Sequence, residues 1–155
     1  MAAVVCRKEY CIGCRLCEVF CVAAHSGVGN LLLAWRQVPR PRPRVLVEEK
    51  EEQTLAVQCQ HCAEAPCLEA CISGAMVRDA ATGAVICRED RCVGCWSCVM
   101  VCPFGAVVPH EAGGRRHALK CDLCAGSEAP WCVAHCPNRA LVLVREEEAG
   151  CRPTT

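Results

Sequence analysis

Cysteine spacing constrains this chain more than any other feature. Four quartets run along it. Cys11, Cys14, Cys17 and Cys21 are separated by two, two and three residues, and Cys92, Cys95, Cys98 and Cys102 repeat that spacing. Cys59, Cys62, Cys67 and Cys71 are separated by two, four and three, and Cys121, Cys124, Cys132 and Cys136 by two, seven and three. Pro103 and Pro137 follow the last two quartets in chain order, and of the 19 cysteines only Cys6, Cys87 and Cys151 lie outside the four groups. A tight loop with cysteines at every third residue directs three thiolates inward, with its backbone N–H groups turned towards them. A fourth cysteine one helical turn further on faces away, towards a neighbouring site. This is the ligand pattern of cubane iron–sulfur clusters.

Other uses of cysteine fit less well. Structural zinc needs two separated pairs in one tetrahedral site, usually with histidine among the ligands. A thiol oxidoreductase needs a single C-x2-C pair. A disulfide scaffold belongs behind a secretory leader, yet the first motif cysteine is already at position 11, and the odd total prevents complete pairing. The expected setting is therefore reducing and cytoplasmic. From Cys92 to Pro109 the chain runs 18 residues without a charge, but its motif cysteines, prolines and glycines argue against a membrane span.

Composition explains why clusters would also matter to the fold. The chain has 155 residues, room for one compact domain or two small lobes sharing a core. Its 53% hydrophobic content includes the cysteines, and only 4% of residues are aromatic. A core of large apolar side chains is thin, so cohesion must come from elsewhere, as a structural metal supplies it in small domains. Seventeen basic residues balance seventeen acidic ones, so the polypeptide offers no net attraction to nucleic acid.

The chain repeats itself. Residues 4–17, VVCRKEYCIGCRLC, align without a gap on residues 85–98, VICREDRCVGCWSC. Val4-Val5 and Val85-Ile86 read as strand ends feeding each motif. Ala75–Val77 and Ala84–Ile86 read as a hairpin across the turn residues Asp79 to Gly83. A second hairpin is expected from Gly105–Val108 to Ala118–Lys120 across Gly113-Gly114, and a third from Val45–Val47 to Leu55–Val57 with a polar tip. Ala140–Val144 is expected to pair with Ala2–Val5, and the tail after Glu146 to fray.

Several residues outside the quartets admit two readings. Cys6 and Cys87 hold the same place in the two repeats and read first as small buried strand residues. Cys151 reads as incidental. Trp96 and Trp131 are expected to shield clusters from water. His61, between two motif cysteines, reads first as an exposed loop histidine and second as a donor to sulfur or a ligand. Lys120 reads equally as a counter-charge to clusters or as a solvated side chain. The alternating stretch from Pro39 to Arg44 should be extended and stiff, as a solubilising edge strand in preference to a docking edge.

With these motifs in view, the sequence resembles four-cluster ferredoxin-like electron-transfer subunits. These are the small iron–sulfur subunits of carbon monoxide dehydrogenase, formate hydrogenlyase, aldehyde oxidoreductase and dimethyl sulfoxide reductase systems. The resemblance covers about residues 4–144. It rests on the quartets, on Lys120-Cys121-Asp122-Leu123-Cys124, on Cys102-Pro103-Phe104-Gly105-Ala106, on Gln60-His61-Cys62 and on Cys136-Pro137. Val22 and Ile72 stand where the pattern has proline. It implies an α+β fold of two interlocked bacterial-ferredoxin-like lobes of β–α–β type around four [4Fe–4S] clusters. The outer lobe would comprise residues 1–21 with 118–146 and the inner lobe residues 59–117, with an insertion at 22–58 and a tail at 147–155.

It implies crosswise ligation as well: Cys11, Cys14 and Cys17 with Cys136; Cys121, Cys124 and Cys132 with Cys21; Cys59, Cys62 and Cys67 with Cys102; Cys92, Cys95 and Cys98 with Cys71. Nothing in the chain forms a catalytic constellation. The expected role is a non-catalytic subunit relaying electrons between a catalytic oxidoreductase subunit and a ferredoxin, flavoprotein or other acceptor, with self-association as an extension. The competing classes are a regulatory or structural iron–sulfur protein and a zinc-binding interaction module.

Overall fold

A computed structural model describes residues 2–145. The chain is a mixed α/β assembly of short elements. Strand β1 (Ala2–Cys6) leads through one 3-10 turn into the first quartet and helix α1 (Leu16–Ala24). After α2 (Leu31–Arg36) come the hairpin strands β2 (Val45–Lys50) and β3 (Gln53–Gln58), then α3 (Pro66–Glu69) within the second quartet. The hairpin β4 (Met76–Arg78) and β5 (Val85–Cys87) leads to α4 (Ser97–Met100) in the third quartet. Strands β6 (Val108–Ala112) and β7 (Arg115–Leu119), α5 (Trp131–Ala134) and β8 (Leu141–Arg145) complete the order.

Each sheet has two strands, and all four ladders are antiparallel. The three expected hairpins form, within a few residues of the expected bounds, and β1 pairs with β8 so that Val4 faces Leu143. No parallel pair occurs among the described residues, so the β–α–β order does not close into a parallel unit. Two main groups of buried side chains result. Val4, Val45, Val47, Ala56 and Leu141 pack with Cys17, Cys21 and Cys132, whereas Ala65, Met76, Val85, Val107 and Ala118 pack with Cys67 and Cys98.

The repeat is visible in backbone detail. The Arg7 amide donates to Ala140 O at 2.8 Å, and its counterpart Arg88 donates to Ala75 O at 2.7 Å. Gly13 and Gly94 both sit at φ +66°, and the next pair, Arg15 and Trp96, are left-handed as well, immediately before α1 and α4. The repetition extends past the aligned motif. Hairpin β2–β3 lies against Gly13 through Thr54, just as β6–β7 lies against Gly94 through Arg116. The β2–β3 hairpin, expected as part of an insertion, is thus the counterpart of β6–β7.

Between α1 and β2 one element was not anticipated and one expectation fails. Leu31–Leu33 open a helix, capped by the Asn30 side chain, which accepts from the amides of Leu32 (3.0 Å) and Leu33 (3.2 Å). The Pro39–Arg44 stretch is neither an edge strand nor a row of outward arginines. Arg40 lies 4.0 Å over the Trp35 ring, Arg42 donates to Pro109 O, and Arg44 is paired with Asp122. Each arginine finds its own partner. The expected tail and Cys151 lie outside the described residues.

Candidate metal centre

The motif loops place their cysteines by backbone geometry. In each C-x-G-C turn the left-handed glycine reverses the chain, which costs glycine nothing. The third and fourth cysteines then fall four residues apart on or just after a helical turn, as Cys17 and Cys21 do on α1. One pocket is lined by Cys11, Cys14, Cys17 and Cys136, with Ile12, Val47, Ala56 and Leu141 in its walls. A second is lined by Cys59, Cys62, Cys67 and Cys102, with His61, Val85, Phe104 and Val107. In both, three cysteines of one quartet meet the last cysteine of another.

The remaining eight quartet cysteines form two further neighbourhoods. Cys98 lies within electrostatic reach of Cys92, Cys95 and Cys71. Cys132 lies within reach of Cys121, Cys124 and Cys21. Burial pushes the Cys98 thiol up to about 11 and the Cys17 and Cys121 thiols up to about 12. Such thiols stay protonated in water-free surroundings unless a cation takes the proton's place, which is how metal loading and proton release become coupled. Cys71 and Cys95 shift the other way. For Cys71, burial alone would raise the thiol, but bonds from Met76 N–H and Ser73 outweigh it. For exposed Cys95, the Ser97 hydroxyl and amide lower it.

Backbone amides converge on the sulfurs. Arg44 N–H donates to Cys21 Sγ at 3.2 Å, His61 N–H to Cys59 Sγ and Met76 N–H to Cys71 Sγ at 3.3 Å, and Ala118 N–H to Cys92 Sγ and Leu123 N–H to Cys121 Sγ at 3.4 Å. None of the described cysteines forms a disulfide. Converging thiols, apolar walls and N–H groups aimed at sulfur fit a [4Fe–4S] cluster, whose charge such dipoles stabilise.

Residues around the centres depart from several expectations. His61 is not an exposed loop residue: it is 1% exposed, at φ +47°. Lys120 is not solvated: it is 2% exposed, and its ammonium donates to Val85 O. Its charge reaches Cys62 and Cys67. Cys6 and Cys87 are half-buried in β1 and β5, beside Cys11 and Cys92 respectively. Trp131 packs against Val22, Ala23 and Ala34, joining α5 to α1 and α2.

Sequence reasoning missed an ion network beside Cys21. Arg44 Nη1 meets Asp122 Oδ2 at 2.5 Å, and His25 Nε2 meets Asp122 Oδ1 at 3.0 Å. Burial alone would raise the Asp122 carboxyl, but the His25 hydrogen bond and the Arg44 charge hold it below the usual carboxylate range. These partners lie 78 and 97 residues apart in the chain, and no local pattern signals them.

Residues 51–146 match a family described as a 4Fe-4S dicluster domain. The protein AegA of Escherichia coli (strain K12) is 38% identical over 149 residues, which cover 92% of this chain but 22% of that protein's length. An iron-sulfur protein of Rhodospirillum rubrum is 37% identical over 150 residues, covering 88% of this chain and 78% of its own. The electron transport protein HydN of Escherichia coli (strain K12) is 38% identical over 148 residues, covering 86% and 82%. No described helix is long and apolar enough to cross a membrane. Motif spacing, converging thiols and these relatives lead to one conclusion: the chain belongs to the family of small [4Fe–4S] iron–sulfur electron-transfer subunits.

Proposed function

We propose that this chain is a non-catalytic electron-transfer subunit holding four [4Fe–4S] clusters on sixteen cysteines. It would relay electrons between a catalytic oxidoreductase subunit and a ferredoxin, flavoprotein or other acceptor. The observation that carries this reading is the pocket in which Cys11, Cys14 and Cys17 meet Cys136. The second pocket repeats the arrangement with Cys59, Cys62, Cys67 and Cys102. By the same rule Cys21 completes the group of Cys121, Cys124 and Cys132, and Cys71 that of Cys92, Cys95 and Cys98. The two groups of buried side chains support an outer lobe built on the chain ends together with the β2–β3 hairpin, and an inner lobe built on residues 59–117, with Ala118 packing inward.

When bound, each cluster supplies a one-electron carrier whose potential depends on charge, hydrogen bonds to sulfur and exposure. The protein's own part is positioning. Cys17 and Cys21 share α1, which ties the first group to the fourth. Cys121 lies within electrostatic reach of Cys59, which brings the fourth group to the second. Helices α3 and α4 touch, bringing the second to the third. The four groups thus follow one another in line. Cys14 and Cys95, in the first and last groups of that line, are exposed, while Cys59, Cys67, Cys121 and Cys132 between them are buried. Exposed ends and a dry middle suit a conductor that meets a partner at each end.

The test is anaerobic purification followed by iron and acid-labile sulfide analysis, with roughly 16 of each per chain expected. Cys21→Ser should then perturb the cluster held by Cys121, Cys124 and Cys132. If that cluster keeps its spectrum while the cluster of Cys11, Cys14 and Cys17 changes, the crosswise scheme is wrong.

A further inference from the structure

The repeated frame is broken at two buried positions that face one cluster group. Val4 and Val85 are counterparts in the aligned repeats. Gln58, which precedes Cys59, donates to Val4 O at 2.8 Å; Lys120, which precedes Cys121, donates to Val85 O. Two residues after Cys59 and Cys121, His61 and Leu123 occupy matching left-handed positions, each donating its amide to the sulfur of the first cysteine of its own quartet. One member of each pair is therefore neutral or apolar, Gln58 and Leu123. The other two, Lys120 and His61, are a buried cation and a buried imidazole that meet at the same Val85 peptide.

The imidazole has a defined tautomer. Val85 N–H lies 3.1 Å from His61 Nδ1, and an amide nitrogen can only donate. Val85 O is as close to Nδ1 and accepts from the Lys120 ammonium, but a proton on Nδ1 would face the Val85 N–H donor. Nδ1 therefore accepts, and the ring proton sits on Nε2. That nitrogen is buried and has no partner among the described residues, while His61 is one of the residues lining the pocket of Cys59, Cys62, Cys67 and Cys102. A buried N–H donor without an acceptor is costly and rare in a native protein.

We propose that His61 Nε2–H donates a hydrogen bond to a sulfur of the cluster held by Cys59, Cys62, Cys67 and Cys102. With the Lys120 charge beside Cys62 and Cys67, it makes this the more easily reduced member of the interior pair, above the cluster of Cys121, Cys124, Cys132 and Cys21. A donor to sulfur and a nearby cation both stabilise the reduced, more negative cluster. The inference rests on the four-cluster reading above, and it assigns electron storage to one interior position.

The test uses the anaerobically purified protein with its clusters. His61→Asn keeps a residue tolerant of the left-handed backbone and an acceptor for Val85 N–H, but removes the Nε2 donor. His61→Gln returns a side-chain N–H of similar reach. Cys62→Ser identifies which paramagnetic signal belongs to this group. In a redox titration followed by electron paramagnetic resonance, His61→Asn should lower that one midpoint by about tenfold in the reduction equilibrium, near 59 mV for a single electron. His61→Gln should recover part of the change. In protein carrying nitrogen-15 histidine, the reduced cluster should show a weak nitrogen coupling that His61→Asn abolishes. A full iron load with an unmoved midpoint overturns the hydrogen bond and leaves the four-cluster reading standing. An iron content that Cys62→Ser does not touch, with no signal assigned to it, overturns both.

Discussion

Single residues set the geometry of the cysteine loops, and the two motif glycines show it most directly. Gly94 stands at φ +66°, and a Cβ there would lie 2.8 Å from Arg116 Cβ and 3.0 Å from the Arg116 carbonyl oxygen. Neither the strand backbone nor the first side-chain carbon can give way, so Gly94→Ala should cost about 1–3 kcal/mol and release iron from the third quartet. Gly13 shares the φ value, but its Cβ would meet only Thr54 Cγ2 at 3.1 Å. A methyl group can shift, so Gly13→Ala should cost less. Thermal unfolding of the two variants with clusters bound, scored together with iron content, checks the order. At this scale the cysteines that line the two pockets were legible from spacing, because three of every four lie within one loop. The burial of His61 was not, because it depends on β5, which reaches the ring through Val85 from 24 residues away.

Among the elements, hairpins announced themselves and the short helix α2 did not. Turn residues between apolar pairs marked β4–β5 and β6–β7 in advance, since each hairpin is closed by local chemistry. Leu31-Leu32-Leu33 carries no amphipathic period, and Leu32 and Leu33 remain exposed, so only the cap at Asn30 marks a helix start. The cap supplies much of what holds six residues in helical form. Asn30→Ala should therefore cost about 1 kcal/mol, confined to α2, with faster amide hydrogen exchange at Leu32 and Leu33 and no change in the cluster spectra. The Pro39–Arg44 stretch was misread for the opposite reason. Alternation says nothing of partners: Arg42 reaches Pro109, and Arg44 reaches Asp122.

For the molecule as a whole, the buried apolar set is mainly alanine, valine and cysteine, with Val4 and Val85 the largest apolar side chains fully enclosed. Such a set removes little apolar surface from water for a chain of this length. Ligation must therefore contribute much of the folding free energy, as in small metal-dependent domains. Extracting iron under anaerobic conditions should unfold the chain cooperatively, seen as loss of near-ultraviolet circular dichroism with strong dye binding; an iron-free chain that kept a native spectrum would contradict this. The charge balance changes on loading too. Each oxidised cubane with four thiolates carries about −2, so with the four clusters proposed above the neutral polypeptide would become a body near −8, drawn to basic partner surfaces. The general architecture was readable because repeats and motif order survive in one dimension. Which distant cysteine completes each group is a three-dimensional fact that spacing alone leaves open.

The β1–β8 ladder carries a temporal implication. Ala2 to Cys6 are hydrogen-bonded to Leu141 to Arg145, and Cys136 closes the pocket begun by Cys11. During synthesis the opening segment must wait, with reactive thiols uncommitted, until β8 leaves the ribosome. The middle of the chain has no such delay, since residues 59 to 107 contain all four cysteines of their own pocket. Maturation should then proceed from the centre outward, and a truncated nascent chain would carry finished interior metal beside an unfinished beginning.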